Sequence, residues 1–325
     1  MYLIRGQSNL ELFKKKFPST FVSATIGNFD GIHLGHQSII EQVKRRAKEN
    51  NLLSLVFITE PHAEEYFLRA GTVSSAPPRI MPWRAKFEHF KLNGIDFCML
   101  LKFDRKFKSM SPNNFLSHIL EKMQVKSLIV GDDFKFGKNR AGNFEMLKEW
   151  GKEKDVYISN IETFSVDGER VSSTMIRKAI SEGNFILAKK LLGRAYAFSG
   201  KVVYGNQLGR KIGVPTANIW VPNQKLPISG VYAVKCFVGN QCHGGIANMG
   251  IRPTVGGDRP ILEVHIFNFQ KDIYGQRITV QFQEKIREEK KFGKRSDTVQ
   301  DKVKFLEACK NYASNQIENQ KIDFV

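Results

Sequence analysis

Two imidazoles stand three residues apart in Gly27-Asn28-Phe29-Asp30-Gly31-Ile32-His33-Leu34-Gly35-His36, between a β-branched apolar run and a stretch of helical periodicity. Glycines there let the backbone turn tightly and approach a ligand, and the start of the helix offers unpaired N–H groups to an anion. His33 and His36 can both donate hydrogen bonds to the phosphates of a nucleoside triphosphate. They would stabilise charge that builds on an α-phosphate and on departing pyrophosphate. The histidine pair alone would also suit zinc or a capped helix end. The ten-residue combination favours the phosphate cradle.

Farther on, Arg170-Val171-Ser172-Ser173-Thr174-Met175-Ile176-Arg177 sets hydroxyls and a guanidinium at a helix start. That is a second phosphate-facing device, or by itself an ordinary N-cap with a surface arginine. The second half holds Gly200-Lys201-Val202-Val203-Tyr204-Gly205 and then Gly209-Arg210-Lys211. Glycines beside basic residues can wrap phosphates, but the spacing is not that of a Walker loop, and a hairpin loop is the plainer alternative. Thr216 and Asn218, in Pro215-Thr216-Ala217-Asn218, offer hard oxygen donors that suit Mg²⁺. Strand alternation puts Glu263, His265 and Phe267 on one face, opposite Leu262, Val264 and Ile266. A glutamate buried in such a strand needs a partner, for which Arg252 and His265 are available, or a task.

The elements that must position these groups fall into two patterns. Residues 21–26, 52–59, 95–101 and 127–130 read as strands and 37–48 as a helix, and this alternation points to a parallel sheet with helical crossovers. A Pro-rich stretch, Ser74-Ser75-Ala76-Pro77-Pro78-Arg79, reads as an exposed loop. Helices are expected over 173–183 and 185–192. Beyond Gly193 come short strands at 196–204, 216–221, 230–238, 244–247, 262–267 and 278–283, without helical periods between them. They indicate an antiparallel sheet or small barrel, closed by a helix at 296–312. The domains are expected at residues 1–185 and 186–325.

The 325 residues suffice for two cores, and 42% hydrophobic with 25% charged residues is ordinary globular usage, which excludes disordered and disulfide-dense classes. The four cysteines, Cys98, Cys236, Cys242 and Cys309, are scattered and favour separate thiols in or near the cores over a disulfide framework or metal cluster. Neither a membrane span nor a signal peptide is expected, which suggests the cytoplasm. A net charge of +18 suits nucleic acid, an anionic membrane or phosphorylated small molecules, or is spread over solvated faces.

The Gly-Phe-Asp-Gly and His-x-Gly-His arrangement resembles the nucleotidyltransferase superfamily that includes the class I aminoacyl-tRNA synthetases. The Ser-Ser-Thr-x-Ile-Arg motif and Val130-Gly131-Asp132-Asp133-Phe134-Lys135-Phe136-Gly137 narrow the likeness to the FAD synthetase module of bacterial bifunctional riboflavin kinase/FMN adenylyltransferases. The second-half motifs, with Gly230-Val231-Tyr232-Ala233 and Asp272-Ile273-Tyr274-Gly275, resemble riboflavin kinase, and the match runs from about 25 to 301. The resemblance implies a Rossmann-like α/β adenylyltransferase joined to a six-stranded antiparallel β-barrel kinase with a C-terminal helix. It implies riboflavin, FMN, FAD and ATP as partners and Mg²⁺ as cofactor at both centres. It further implies Glu263 as general base for the ribityl 5′-hydroxyl and Thr216 with Asn218 as Mg²⁺ ligands. Gly27, Asn28, Phe29, Asp30, Gly31, Ser173, Thr174, Arg177, Gly205, Gly209, Arg210 and Lys211 then serve ATP, and His33 and His36 the adenylyl transfer. Pro61, Asp133, Arg287 and Phe292 are the implied flavin contacts, a solvated arginine and a core phenylalanine being the plainer readings of the last two.

One departure stands out. Pro61-His62-Ala63 replaces the Pro-His-Pro usual after the second strand, so this loop is expected to move more freely and to lose a flavin contact. A kinase whose first domain only binds nucleotide is the rival of the same fold. A nucleic-acid-binding protein is the rival from another class, although no Lys-Met-Ser-Lys-Ser loop is present and neither nucleic acid nor membrane is the expected partner.

Overall fold

A computed structural model describes residues 1–161, 164–205, 215–222, 225–254 and 257–288, with the backbone alone for 251–254 and 257–259. Gly209, Arg210, Lys211, Phe292, Cys309 and the helix expected at 296–312 lie outside the described residues. The chain divides into two compact units, Met1–Pro77 with Met81–Ser173 and Pro78–Ile80 with Thr174–Val325.

In the first unit, the elements run β1 (Tyr2–Arg5), α1 (Leu10–Lys16), β2 (Val22–Ile26), α2 (Leu34–Glu49), β3 (Leu53–Glu60), α3 (Ala63–Arg69), α4 (Trp83–Leu92), β4 (Phe97–Lys102), α5 (Arg105–Lys108), α6 (Pro112–Phe115), β5 (Val125–Gly131), α7 (Phe144–Lys154) and β6 (Tyr157–Ile161). A short antiparallel hairpin follows, β7 (Ser165–Val166) with β8 (Glu169–Arg170). The six long strands form one parallel sheet in the order β1-β4-β3-β2-β5-β6. Both faces of this sheet are covered, so its central strands read as unbroken apolar runs. In β3, Leu55 and Phe57 join a core with Phe13 of α1 and Leu147 and Trp150 of α7, whereas Val56 and Ile58 join Ile40 of α2 and Phe90 of α4. β1 and β6 escaped the sequence reading because edge strands with half-exposed side chains lack such a run. Cys98 on β4 is buried, and burial pushes its thiol up to about 12.

α8 (Ser173–Ser181) spans the division, and α9 (Phe185–Leu192) follows it. Six strands then close an antiparallel barrel in the order β10-β13-β12-β11-β14-β9, made of β9 (Ala197–Val203), β10 (Ala217–Ile219), β11 (Gly230–Val238), β12 (Gln241–Thr254), β13 (Gly257–Ile266) and β14 (Arg277–Arg287). Val264, Val280, Leu262 and Val234 are buried in this unit. Phe185 of α9 stacks against Tyr196 and Phe282 and meets Tyr232 edge-on. β12 and β13 run longer than their apolar cores, with register continuing from Gly245↔Ile266 to Thr254↔Gly257. The ladder is carried by backbone groups, which polar residues such as Arg252 and Arg259, paired in it, supply as well as apolar ones do. Cys236 is buried and raised to about 12, while Cys242 is exposed on the barrel rather than in its core.

Candidate active sites

The strand order fixes where the first candidate site lies. From β2 the chain winds outward one way through β3 and β4 and the other way through β5 and β6, so its direction reverses between β2 and β5. In open parallel sheets, ligands bind outside the carboxyl ends of the strands at that reversal. Residues 27–33 leave β2 there, and Asp132 and Asp133 leave β5 beside it.

Phe29 and Ile32 of this loop sit in the left-handed region, at φ 47° and 42°, where bulky and β-branched residues are costly. Burial holds them: each is 1% exposed, and the Phe29 ring meets Phe90 edge-on at 5.7 Å. His33 is the N-cap of α2, its Nδ1 accepting from the His36 backbone N–H at 3.3 Å. The two imidazoles stack with centroids 3.6 Å apart and planes 19° from parallel. With Nδ1 accepting, the neutral His33 ring carries its proton on Nε2 and donates from there. Gly35 has no Cβ because the His33 ring lies over it, 3.3 Å from where that atom would be.

Asp30, 2% exposed, accepts from the Met81 N–H at 3.2 Å through its carboxylate, and its carbonyl accepts from the Ser173 hydroxyl at 2.9 Å. Ser173 is therefore tied to the loop, fixing where α8 begins. Thr174 is exposed on the next position, and Arg177, one turn along, donates from Nε to the Pro78 carbonyl at 2.8 Å. Asn28 accepts from the Thr59 hydroxyl at 2.9 Å through Oδ1. Asp133 is exposed, and the Arg170 guanidinium lies 3.7 Å from it and 3.4 Å from Asp132.

The Pro-rich stretch is irregular and exposed only as far as Pro77, with Ala76 and Pro78 half-buried. Arg79 is 1% exposed and its backbone N–H donates to the Lys225 carbonyl at 2.7 Å, so the exposed reading fails at this residue. Ala63 is not in a loose loop either: it is the first residue of α3, capped by His62, whose backbone N–H donates to Glu65 at 3.3 Å. Sequence reading missed Lys86 and His62, both buried behind the loop, because a lone lysine on an amphipathic helix reads as solvated. It also missed the rings of Tyr66, Phe67 and Phe103, which cluster at the ends of β3 and β4 with centroids 5.4 to 6.0 Å apart.

The second candidate site is on the barrel. Asn218 of β10 is in register with Glu263 of β13, and Glu263 with Asn248 of β12. Their neighbours Ile219, Leu262 and Val264 fill the interior, which turns Asn218 and Glu263 to the other face. Glu263 is half-buried rather than buried, and His265 Nδ1 donates to the Pro215 carbonyl at 2.8 Å. Since a carbonyl only accepts, Nδ1 carries the proton. Asn218 is 7% exposed, and its Oδ1 has no hydrogen-bond partner among the described residues. Gly205 lies against the Asn218 carboxamide so closely that a methyl group there would overlap it.

A cavity of about 280 Å³ opens nearby, lined by Thr216, Ala217, Val264, Ile266, Asp272 and Tyr274 among others. Its lining includes Thr216 but not Asn218 or Glu263. Tyr274 on its wall stacks with the exposed Tyr204 at 4.0 Å. Arg287 ends β14 in register with Val231 and donates to the Glu288 carbonyl at 3.0 Å.

Comparison with known proteins follows the same division. The FAD synthetase family profile matches residues 16–175, and the riboflavin kinase profile residues 192–311. The chain is 41% identical over 294 residues to a bifunctional riboflavin kinase/FMN adenylyltransferase of Escherichia coli K12, covering 90% of this chain and 91% of the relative. Enzymes of the same description from Haemophilus influenzae (42%, covering 90% and 92%) and Buchnera aphidicola of Schizaphis graminum (38%, covering 96% and 99%) are similar over comparable lengths. A crystal structure of a protein described as a macrolide-efflux protein from Streptococcus pneumoniae superposes with a TM-score of 0.76 at 28% identity, covering 97% of this chain and 99% of that one.

Proposed function

The chain belongs to the bifunctional riboflavin kinase/FMN adenylyltransferase family, phosphorylating riboflavin to FMN and adenylylating FMN to FAD, and we propose that separate centres on its two halves do the two reactions. The cradle of residues 27–36 serves the adenylyl transfer, and the Asn218 and Glu263 face of the barrel serves the phosphoryl transfer. The observation that carries this reading is that the stacked His33 and His36 fall in one compact unit and the paired Asn218 and Glu263 in the other. The functional halves are taken as 1–185 and 186–325.

At the first centre, an FMN phosphate oxygen attacks the α-phosphorus of ATP, the bond to the bridging oxygen breaks and pyrophosphate leaves. His33 Nε2–H and His36 donate to the phosphates, and the start of α2 adds backbone N–H groups and its dipole. The backbone of Gly27, Asn28, Phe29, Asp30 and Gly31 shapes the cradle, with Ser173, Thr174 and Arg177 completing the nucleotide contacts. Pro61 and Asp133 flank the flavin, and the rings of Tyr66, Phe67 and Phe103 offer faces on which an isoalloxazine can stack.

At the second centre, Glu263 takes the proton of the ribityl 5′-hydroxyl, whose oxygen attacks the γ-phosphorus of ATP as ADP leaves. Gly205, Gly209, Arg210 and Lys211 serve the triphosphate, and Arg287 and Phe292 the flavin ring. The orphaned Oδ1 of Asn218 and the hydroxyl of Thr216 are hard neutral donors that fit Mg²⁺, which prefers a few protein oxygens beside phosphates and water. When bound, Mg²⁺ neutralises charge on the phosphates. We place Mg²⁺ with ATP at both centres and the enzyme in the cytoplasm, where ATP is available. No helix among the described residues is long and apolar enough to cross a membrane.

The test is complementation between two full-length variants, Glu263→Gln and His33→Ala, given riboflavin, ATP and Mg²⁺. Glu263→Gln makes FAD only from added FMN, His33→Ala stops at FMN, and a mixture restores FAD from riboflavin. A variant that loses both reactions while remaining folded contradicts separate centres.

A further inference from the structure

We propose that Lys86 is a positioning residue for adenylyl transfer, a buried ammonium that locks the nucleotide loop after β2 to the Pro61-His62 turn after β3. The proposal rests on the assignment of residues 27–36 to that reaction.

Lysine is almost never fully buried without partners, because the ammonium gives up its water only where other groups replace it. Lys86 is 0% exposed. It occupies a core position of α4, one turn before Phe90, which is also 0% exposed and holds the Phe29 ring. Packing alone would be served better by leucine there. The ammonium is spent on the two loops instead: Nζ donates to the Asn28 carbonyl at 2.8 Å and lies 3.0 Å from His62 Nε2.

The first contact acts through peptide geometry. The unit joining Asn28 to Phe29 is planar and trans, so its N–H points opposite to its C=O. By holding the Asn28 carbonyl against the protein wall, Lys86 aims the Phe29 N–H away from that wall. It does so at the residue whose φ of 47° makes this peptide costly to hold. The second contact fixes the His62 ring, and His62 caps α3 directly after Pro61. One cation thus sets the spacing between the ends of two adjacent parallel strands, one leading to the nucleotide loop and the other to the flavin turn.

The test uses full-length Lys86→Met, His62→Gln, their double variant and His33→Ala, each assayed for FMN adenylylation and riboflavin phosphorylation. We expect Lys86→Met to lower kcat for adenylylation about tenfold or more, as misplacement of a donor does, while KM for ATP moves less than about threefold. Riboflavin phosphorylation in the same samples stays at the level of the unaltered chain. His62→Gln lowers kcat as well, and the double variant is no slower than Lys86→Met, since both changes break one clamp. Adenylylation by Lys86→Met at the unaltered rate overturns the proposal. So does a double variant slowed by the product of the single factors. Should Lys86→Met fail to fold, an unchanged kcat in His62→Gln overturns it equally. If His33→Ala adenylylates normally, the site assignment fails instead.

Discussion

Asn218 and Glu263 stand directly opposite each other in the antiparallel pair of β10 and β13, so both side chains leave the barrel on one face. A carboxylate able to take a proton and an amide oxygen with no partner among the described residues are thereby held a strand spacing apart.

Gly205 is where this arrangement is most exposed to mutation. Gly205→Ala drives a methyl group into the Asn218 carboxamide and moves it. Riboflavin phosphorylation should fall about tenfold or more, the usual scale for a displaced positioning group. FAD formation from added FMN should stay unchanged, and assaying both reactions on one sample checks this.

His33 caps α2, and two substitutions separate that structural duty from the chemical one proposed for it. Asparagine is a strong N-cap and alanine a poor one, so His33→Ala should lose about 1 kcal/mol of stability by denaturant unfolding and His33→Asn much less. Neither restores the imidazole, and adenylylation should drop about 100-fold or more in both.

Ala63 tests the departure from Pro-His-Pro. As the first residue of α3, preceded by His62 at φ −62° and ψ 152°, it occupies a position that proline tolerates. Ala63→Pro should keep adenylylation within about twofold and raise stability by about 0.4–1 kcal/mol in chemical unfolding. A large gain in FAD synthesis would instead mean that the flavin lacks a contact here.

Alkaline pH should weaken the barrel. Burial raises Cys236 from 9.0 to about 12 and Tyr232 from 10.0 to about 12. Between the lower and upper values the unfolded chain has lost protons that the folded one keeps, so stability falls as pH rises, beginning near 9. At pH 10.5 the Cys236 share is about 2 kcal/mol, and Cys236→Val should flatten the decline in Tm measured between pH 8 and 10.5.

What could be read from the sequence was whatever repeats along the chain. The apolar run at 52–59 and the alternation at 262–267 declared their strands, and ten residues declared the His33 loop. Nothing along the chain brings Gly205 under Asn218, or Lys86 behind Asn28, because each pairing depends on register or on a helix crossing over a loop. Arg79 misled for the same reason: prolines before it signal a loop, but burial depends on what the loop rests against.

The closed hydrogen-bonded ring of the barrel makes the face bearing Asn218 and Glu263 tolerant in one respect and brittle in another. Loops between strands can lengthen or shorten without disturbing it. A single residue inserted in β13 ahead of position 263 would turn the glutamate inward among Leu262 and Val264 and put an aliphatic side chain where the carboxylate stood. Length variation among descendants of this gene should therefore gather at the turns and spare the strand interiors.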